Sequence, residues 1–309
     1  MLTTRMIASL DAASPAERFT AGFGIGFAAL LHIIAPSAGT LRAIAVNVAV
    51  AGAVLHVFPR LRAVPARAAR FAAIVLPTIV FYLFYKQCSL VLHSGNVAWR
   101  DADLTQVGEW LTAPMQAGAS PAMTEWLAFC YVVYAPLTVV SALALARGVT
   151  RLREAERQIL AMCVMLASCY VLFVLFPVRG PRLVDPSFQA GRMGDGLFSM
   201  IALANQQYGM LFGAAFPSAH VAGAVVLLVP HAWRRSFWFI APIAITIPVS
   251  TVYFGYHYVA DAVIGALVGL LVCSMLGYNR DAIARGRLVV GRVIPWGRLR
   301  PTPLPERGR

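Results

Sequence analysis

Two short polar stretches interrupt the apolar C-terminal half of this chain, and each contains a histidine. The first stretch, FPSAH, ends at His220 and opens an apolar run. Proline is favoured in the first turn of a helix, whose free amides and positive dipole end attract anions. Ser218 and His220 would add a hydroxyl and an imidazole to such a helix end. The stretch predicts a phosphate cradle, and the structural alternative is a Pro–Ser helix cap with a buried histidine.

The second stretch, HYVAD, places His257 and Asp261 four residues apart. On a helix this spacing puts both side chains on one face. The carboxylate can then accept the Nδ1 proton and leave Nε2 as a nucleophile or base. A polar pair that helps two helices to associate is the alternative. Ionisable side chains are costly inside a membrane and usually serve a function there, so the spacing favours catalysis.

Two arginines follow the apolar run that precedes these stretches, within the sequence FPVRGPRL. Arg179 and Arg182 lie in a rigid Gly–Pro context, and the planar guanidinium fork suits phosphate oxygens. For either arginine alone, contact with lipid headgroups would be the simpler interpretation. Together with two histidines and a carboxylate they suit phosphoryl transfer. One histidine attacks phosphorus, the other protonates the leaving oxygen, and arginine with helix amides holds the remaining oxygens.

The chain that must position these groups is too apolar for a soluble domain. Of its 309 residues 59% are hydrophobic, and its mean hydropathy is +0.71, whereas soluble proteins have about 45–50% apolar residues. Several runs of about 20 apolar residues are long enough to cross a ~30 Å hydrocarbon core. We predict an all-α, polytopic helical membrane protein with about eight transmembrane helices. The predicted spans are residues 20–36, 42–58, 71–92, 122–145, 158–176, 217–232, 237–255 and 258–277.

Basic connections set the predicted orientation of these spans. Arginines follow the second, fourth, sixth and eighth spans, so the four basic connections share one side, which the positive-inside rule makes cytoplasmic. Both termini are then cytoplasmic, and the motif residues lie at the extracytoplasmic ends of their spans. We predict one membrane domain, residues 1–278, a basic Pro/Arg-rich cytoplasmic tail, residues 279–309, and localisation in the plasma (inner) membrane.

The same charge distribution decides the class of partner. The net charge of +13 resides in short connections and in the tail, where arginines orient a membrane protein and meet anionic headgroups. We therefore expect a lipid substrate and the membrane as partners and no nucleic acid. The sequence leaves the oligomeric state open.

At its polar stretches the chain resembles the type 2 phosphatidic acid phosphatase superfamily of lipid phosphatases and phosphotransferases. The three motifs of that superfamily look like Val178–Leu183, Pro217–His220 and Ser250–Asp261, in the right order. The resemblance implies a helical-bundle phosphatase core over about residues 155–278. It also implies a reaction that needs no metal and no other cofactor.

The resemblance assigns a role to each motif residue. It implies that His257 is the nucleophile that becomes phosphohistidine and that Asp261 orients this histidine. It implies that His220 is the general acid for the leaving group. Arg182 would hold phosphate, and Ser218 would assist through its hydroxyl.

Three positions depart from the superfamily pattern. The lysine expected before the first motif is absent, the glycine of the second motif is Ala219, and the arginine expected six residues before the third-motif histidine is Thr251. Two residues are candidates to replace the missing cations: Arg179, and Lys86 on the third predicted span. For Lys86 we favour a structural role in which the ammonium reaches the interface.

Within the superfamily, the variants FPSAH and HYVAD look most like the branch of inositol phosphorylceramide synthases and inositolphosphotransferases. That branch passes a phospho-headgroup to a hydroxyl, whereas a lipid phosphate phosphatase uses water; the same histidine intermediate serves both. A transporter is less favoured because it would place ionisable groups near mid-membrane. A non-catalytic lipid binder stays an alternative because Thr251 replaces a phosphate-holding arginine.

Overall fold

The computed structural model describes residues 11–95, 97–105, 120–146, 152–185, 194–278 and 280, and the regular secondary structure of this part of the chain is helical. It contains no β-strand apart from one isolated bridge, between Val178 and Ala214. The predicted all-α class is therefore confirmed, while most of the predicted tail lies outside the described residues. The helices are α1 Pro15–Ile34, α2 Ala38–Ala63, α3 Arg67–Gln87, α4 Ser89–Leu92, α5 Asp101–Thr105, α6 Pro121–Val132, α7 Tyr134–Leu145, α8 Leu152–Leu175, α9 Pro181–Val184, α10 Leu197–Tyr208, α11 Ala219–Leu228, α12 Phe237–Tyr253 and α13 Val259–Met275.

Eight apolar segments of the described chain correspond to the eight predicted spans. Four are long and apolar enough to cross a membrane: α1, α2, α3 with α4, and α8. Helices α6 and α7 together would form a fifth span, and α11, α12 and α13 are shorter apolar helices. The chain is thus compatible with a multi-pass membrane protein, and the count of eight crossings stays a prediction.

The fourth predicted span is not one straight helix. Helices α6 and α7 meet at an angle of 62°, at Val133. Pro136 has no N–H to donate to the carbonyl of Val132, so the hydrogen-bond ladder of α6 cannot continue through this point. In the last turn of α6, Tyr131 lies on the ring of Tyr256, and its hydroxyl is 3.8 Å from the sulfur of Met210, after α10.

The basic connections lie together at one end of the bundle. Arg62, at the end of α2, lies 2.9 Å from Glu17 and 3.7 Å from Glu156. Arg234, after α11, pairs with Glu154 near the start of α8. These contacts place three of the predicted basic connections at the same end. That this end is cytoplasmic stays a prediction.

At the opposite end, glycines allow α13 to pack closely on α11. A Cβ atom at Gly269 would lie 2.5 Å from the carbonyl oxygen of Ala222, and one at Gly265 would lie closer still to that of Ser218. Glycines four residues apart let two helix backbones approach in this way. The contact brings the N-terminal ends of both helices side by side, and the Ser218 amide donates to the carbonyl of Asp261 at 3.0 Å.

Replacing Gly265 with alanine is expected to lower the free energy of unfolding by about 1–3 kcal/mol, because the new methyl group would press on backbone that has little room to move. Gly52→Ala is the matched control, since a Cβ atom there meets nothing within 4 Å and alanine favours a helix by about 1 kcal/mol. Thermal unfolding of both variants in detergent micelles gives the comparison. A Gly265→Ala variant as stable as the wild type would contradict the close packing.

Candidate active site

The three motifs line one cavity of about 410 Å³. His220, His257, Arg179 and Arg182 form its polar end. The two imidazole rings have centroids 6.3 Å apart and planes inclined by 57°. Groups that are far apart in sequence therefore face the same space, which is large enough for a small ligand.

His257 is fixed by a backbone carbonyl. Its side chain is buried, and its Nδ1 lies 2.7 Å from the carbonyl oxygen of Ala215. A carbonyl oxygen can only accept a hydrogen bond, so Nδ1 carries the proton and Nε2 is the lone-pair nitrogen. The carboxylate of Asp261 is farther away, with Oδ2 at 3.7 Å from Nδ1. The nearer partner of Nδ1 is therefore the Ala215 carbonyl and not, as the spacing predicts, Asp261.

The start of α13 explains this difference. The helix begins at Val259, so His257 lies in the preceding turn and does not share a helical face with Asp261. Asp261 is fully buried, and its Oδ2 accepts the amide of Tyr258 at 2.7 Å. The carboxylate thus closes the first turn of α13. At 3.7 Å from Nδ1 it still stabilises a positive charge on the imidazole of His257.

His220 is held by stacking alone. Its ring lies on that of Tyr131, with centroids 4.6 Å apart and planes inclined by 24°, and 4.9 Å from the ring of Tyr134. Within the described part of the chain, neither of its ring nitrogens has a hydrogen-bond partner. The ring is therefore oriented while its nitrogens are available to a ligand.

The residues next to His220 have two different roles: one caps the helix, and others present backbone amides to the cavity. Ser218 is fully buried outside the cavity lining, and its Oγ accepts the amide of Val221 at 3.4 Å. This arrangement supports the helix-cap interpretation of Ser218. Pro217 precedes the cap, because α11 begins at Ala219 and not at the proline. The amides of Ala219 and His220 have no acceptor among the described residues, and both residues line the cavity, as an anion site at a helix N-terminus requires.

Arg182 brings a positive charge that the described residues do not neutralise. Its guanidinium lies 4.8 Å from the ring centroid of Tyr256, and one nitrogen is 3.2 Å from the sulfur of Met210. Gln206, on α10, donates to the Tyr256 hydroxyl at 2.7 Å. Burial raises the pKa of Tyr256 to about 12, so this hydroxyl stays neutral beside the arginine. Arg182 is thus oriented by a ring and is free to bind an anion.

Arg179 differs because Asp101 balances its charge. Asp101 is only 4% exposed. Its carboxylate accepts the Nε of Arg179 at 3.2 Å, the amides of Arg179 and Gly180 at 3.1 Å, and the hydroxyl of Tyr258 at 3.4 Å. The two terminal nitrogens of the Arg179 guanidinium keep no hydrogen-bond partner among the described residues. The carboxylate of Asp101 therefore stabilises the conformation of the first motif and connects this motif to Tyr258 in the third.

Lys86 and Arg179, the two candidates to replace the cations missing from the motifs, differ in whether they reach the cavity. Lys86 lies outside the cavity lining, and its Nζ donates to the carbonyl of Gly209 at 2.7 Å, at the C-terminal end of α10. Thr251 is fully buried, and its carbonyl accepts the amide of His257 at 3.2 Å. Arg179 is the candidate that reaches the cavity.

Two residues that shape the site are not predictable from the motifs. Asp101 lies in the stretch 93–121, which contains tryptophans and charges typical of a helix at the membrane interface. Ala215 acts through its carbonyl, and a backbone group has no signature in the residue type. The only signal for either was position, since Ala215 directly precedes FPSAH and Asp101 follows a Trp–Arg pair.

Asp101→Asn is expected to lower the free energy of unfolding by about 1.5–3 kcal/mol, because an uncharged amide is a weaker acceptor for the buried donors around it. Asp103→Asn is the matched control, since Asp103 is exposed and pairs only loosely with Arg100, at 3.8 Å. Thermal unfolding in detergent compares the two variants with the wild type. Equal shifts for both substitutions would contradict the role given to Asp101.

The sequence profile of the PAP2 superfamily matches residues 102–275, which is more than half of the chain. No curated protein and no solved structure matches the chain. The matched segment contains all three motifs and therefore the whole polar end of the cavity, whereas helices α1 to α5 begin before it. The chain belongs to the PAP2 superfamily and is an enzyme of the phosphatase and phosphotransferase type that defines this family of type 2 phosphatidic acid phosphatases.

Proposed function

We propose that this protein is an integral membrane enzyme that transfers a phosphoryl group, or a phospho-headgroup, from a lipid through a phosphohistidine at His257. The observation that carries the proposal is the 2.7 Å hydrogen bond from Nδ1 of this histidine to the Ala215 carbonyl. The bond makes Nε2 the lone-pair nitrogen in a cavity that also contains Arg182. A fixed nucleophile and an available cation in one site are the parts that phosphoryl transfer needs.

In the first step, Nε2 of His257 attacks phosphorus and the phosphorus–oxygen bond to the leaving group breaks. The imidazole then carries a positive charge, which the carboxylate of Asp261 and the carbonyl of Ala215 stabilise. His220 is close enough to give a proton to the leaving oxygen. The leaving group departs as a neutral alcohol, and His220 is left neutral.

In the second step, an acceptor hydroxyl attacks the phosphohistidine and the nitrogen–phosphorus bond breaks. Neutral His220 takes the proton of the acceptor, so both histidines return to their starting states. Arg182, Arg179 and the two free amides at the start of α11 hold the non-bridging oxygens in both steps. All groups that the reaction uses come from the chain, and the proposal includes no metal.

The preferred acceptor in this proposal is the hydroxyl of a lipid or polyol, as in inositolphosphotransferases. The motif variants FPSAH and HYVAD support this acceptor. The second candidate is a lipid phosphate phosphatase, acting on phosphatidic acid or a polyprenyl phosphate with water as acceptor; the match to the superfamily as a whole supports it. In either case we place the site at the extracytoplasmic face of the plasma (inner) membrane, because the basic connections lie at the opposite end of the bundle.

His257→Ala is expected to lower turnover on the order of 10³-fold or more, because it removes the nucleophile. The measurement uses purified protein in detergent with lipid phosphates and phosphoinositides, and it follows free phosphate and new lipid species together. His56→Ala is the matched control, since His56 is exposed and far from the motifs in sequence. Free phosphate identifies a phosphatase and a new phospholipid identifies a transferase. Activity that survives in His257→Ala would overturn the phosphohistidine, and a wild type without activity would favour the lipid-binder and transporter alternatives.

His220→Ala is expected to affect substrates according to their leaving groups. With a lipid phosphate, whose alkoxide leaving group needs a proton, we expect a loss of about 10²–10⁴-fold. With para-nitrophenyl phosphate the loss should be much smaller, because para-nitrophenolate departs without a proton. Steady-state kcat values for both substrates test this, and equal losses would exclude His220 as the general acid.

A further inference from the structure

The cavity extends well beyond its polar end, between helices that carry no motif. We call this extension the lateral groove. Its walls come from α3, α7 and α8, and they include Val75, Thr78, Tyr82, Ala135, Val139 and Leu166. The wall contributed by α3 precedes the segment that matches the PAP2 superfamily, so membership of the family does not account for this wall.

The walls of the groove are largely apolar, and the hydroxyl groups of their threonines are bonded to backbone. Thr78 donates to the carbonyl of Val75 at 2.7 Å, and Thr138 donates to that of Tyr134 at 3.4 Å. The hydroxyl of Tyr134 lies 3.4 Å from the carbonyl oxygen of Ala219. Methyl groups and ring carbons are left to face the space, which therefore suits a hydrocarbon ligand.

The groove opens sideways, on the surface where lipid would contact the bundle. Ile79 is 61% exposed, Tyr82 is 55% exposed and Val139 is 40% exposed, and all three line the cavity. From Tyr85 to Val75 the groove follows ten residues of α3, which is about 15 Å at ~1.5 Å per residue. This length is about half of a ~30 Å hydrocarbon core, which is the depth of one leaflet.

The polar end of the same cavity determines what the groove would hold. A ligand whose phosphate meets Arg182 and His257 has the groove beside it and the polar, buried turns of the motifs on its other side. The part of the ligand next to the phosphate must then be hydrocarbon if it is to lie against these walls. The chemistry of the two ends together is that of a lipid phosphate.

We propose that the lateral groove binds one hydrocarbon chain of the lipid substrate, which enters from the membrane between α3 and α7. This inference rests on the proposed function and specifies its substrate as a phosphoester with a long acyl, alkyl or prenyl chain. The walls make the enzyme selective for chain length: turnover rises as the chain fills the groove and levels off once it spans about one leaflet.

Two neighbouring valines provide the test. Val139 and Val140 lie side by side on α7 and are 40% and 41% exposed, but only Val139 lines the cavity. We would measure kcat/KM for hexadecyl phosphate and for butyl phosphate in detergent, with Val139→Trp and Val140→Trp beside the wild type. Val139→Trp should lower the ratio of the two values about tenfold or more, since a blocked groove that excludes two methylenes costs about that factor. Val140→Trp should leave the ratio within about twofold of the wild type.

The outcomes separate this inference from the proposed function. If the two variants have equal ratios, the proposed role of the groove is overturned. The phosphohistidine is still upheld if His257→Ala abolishes turnover of these phosphates. If the enzyme turns over neither these phosphates nor phosphoinositides, the proposed function fails, and photolabelling decides the groove independently. A diazirine at the end of hexadecyl phosphate should then label peptides of α3 and α7, and labelling confined to other helices would overturn the inference.

Discussion

A carboxylate buried inside a protein needs its charge balanced and its lone pairs occupied, and Asp101 satisfies this requirement with donors from two motifs. It binds the side chain and amide of Arg179, the amide of Gly180 and the hydroxyl of Tyr258. Without these donors the buried charge would cost several kcal/mol. The first motif therefore has to fold around the carboxylate, and this fold directs Arg179 and Arg182 into the cavity.

The same physical demand acts on the backbone of the loops that carry the motifs. Irregular backbone near a membrane must pair within the protein, because lipid offers no hydrogen bonds. The amide of Ala215 donates to Val178, that of Arg182 donates to Gly255, and that of Ser218 donates to Asp261, each at 3.0 Å. These pairs cross between all three motifs. They leave the carbonyl of Ala215 beside the next turn, where it fixes the Nδ1 proton of the histidine.

The sequence predicted the side chains whose types and order form motifs, and it missed Asp101 and the groups that act through the backbone. The lengths of the hydrophobic runs predicted the apolar segments. The order of His, Arg and Asp in the motifs predicted which side chains would lie close together. The partner of His257 was missed because the i, i+4 rule assumes one continuous helix, whereas α13 begins only at Val259. The role of Ser218 could not be decided from the sequence for a related reason. A serine before a helix either caps the helix or binds a ligand, and only the burial of its side chain distinguishes these two roles.

The helices outside the family match do more than anchor the chain. The hydroxyl of Tyr85 accepts the amide of Leu211 at 2.8 Å, and the Nζ of Lys86 donates to the carbonyl of Gly209 at 2.7 Å. Both contacts fix the segment that leads to Ala215. At the other end of α10, Glu125 accepts the amides of residues 198 and 199 at 3.0 Å, so a carboxylate and an ammonium match the two ends of the helix dipole. Because α3 both holds this segment and walls the lateral groove, a hydrocarbon chain bound there as proposed would contact the same helix that fixes the segment leading to the carbonyl beside His257.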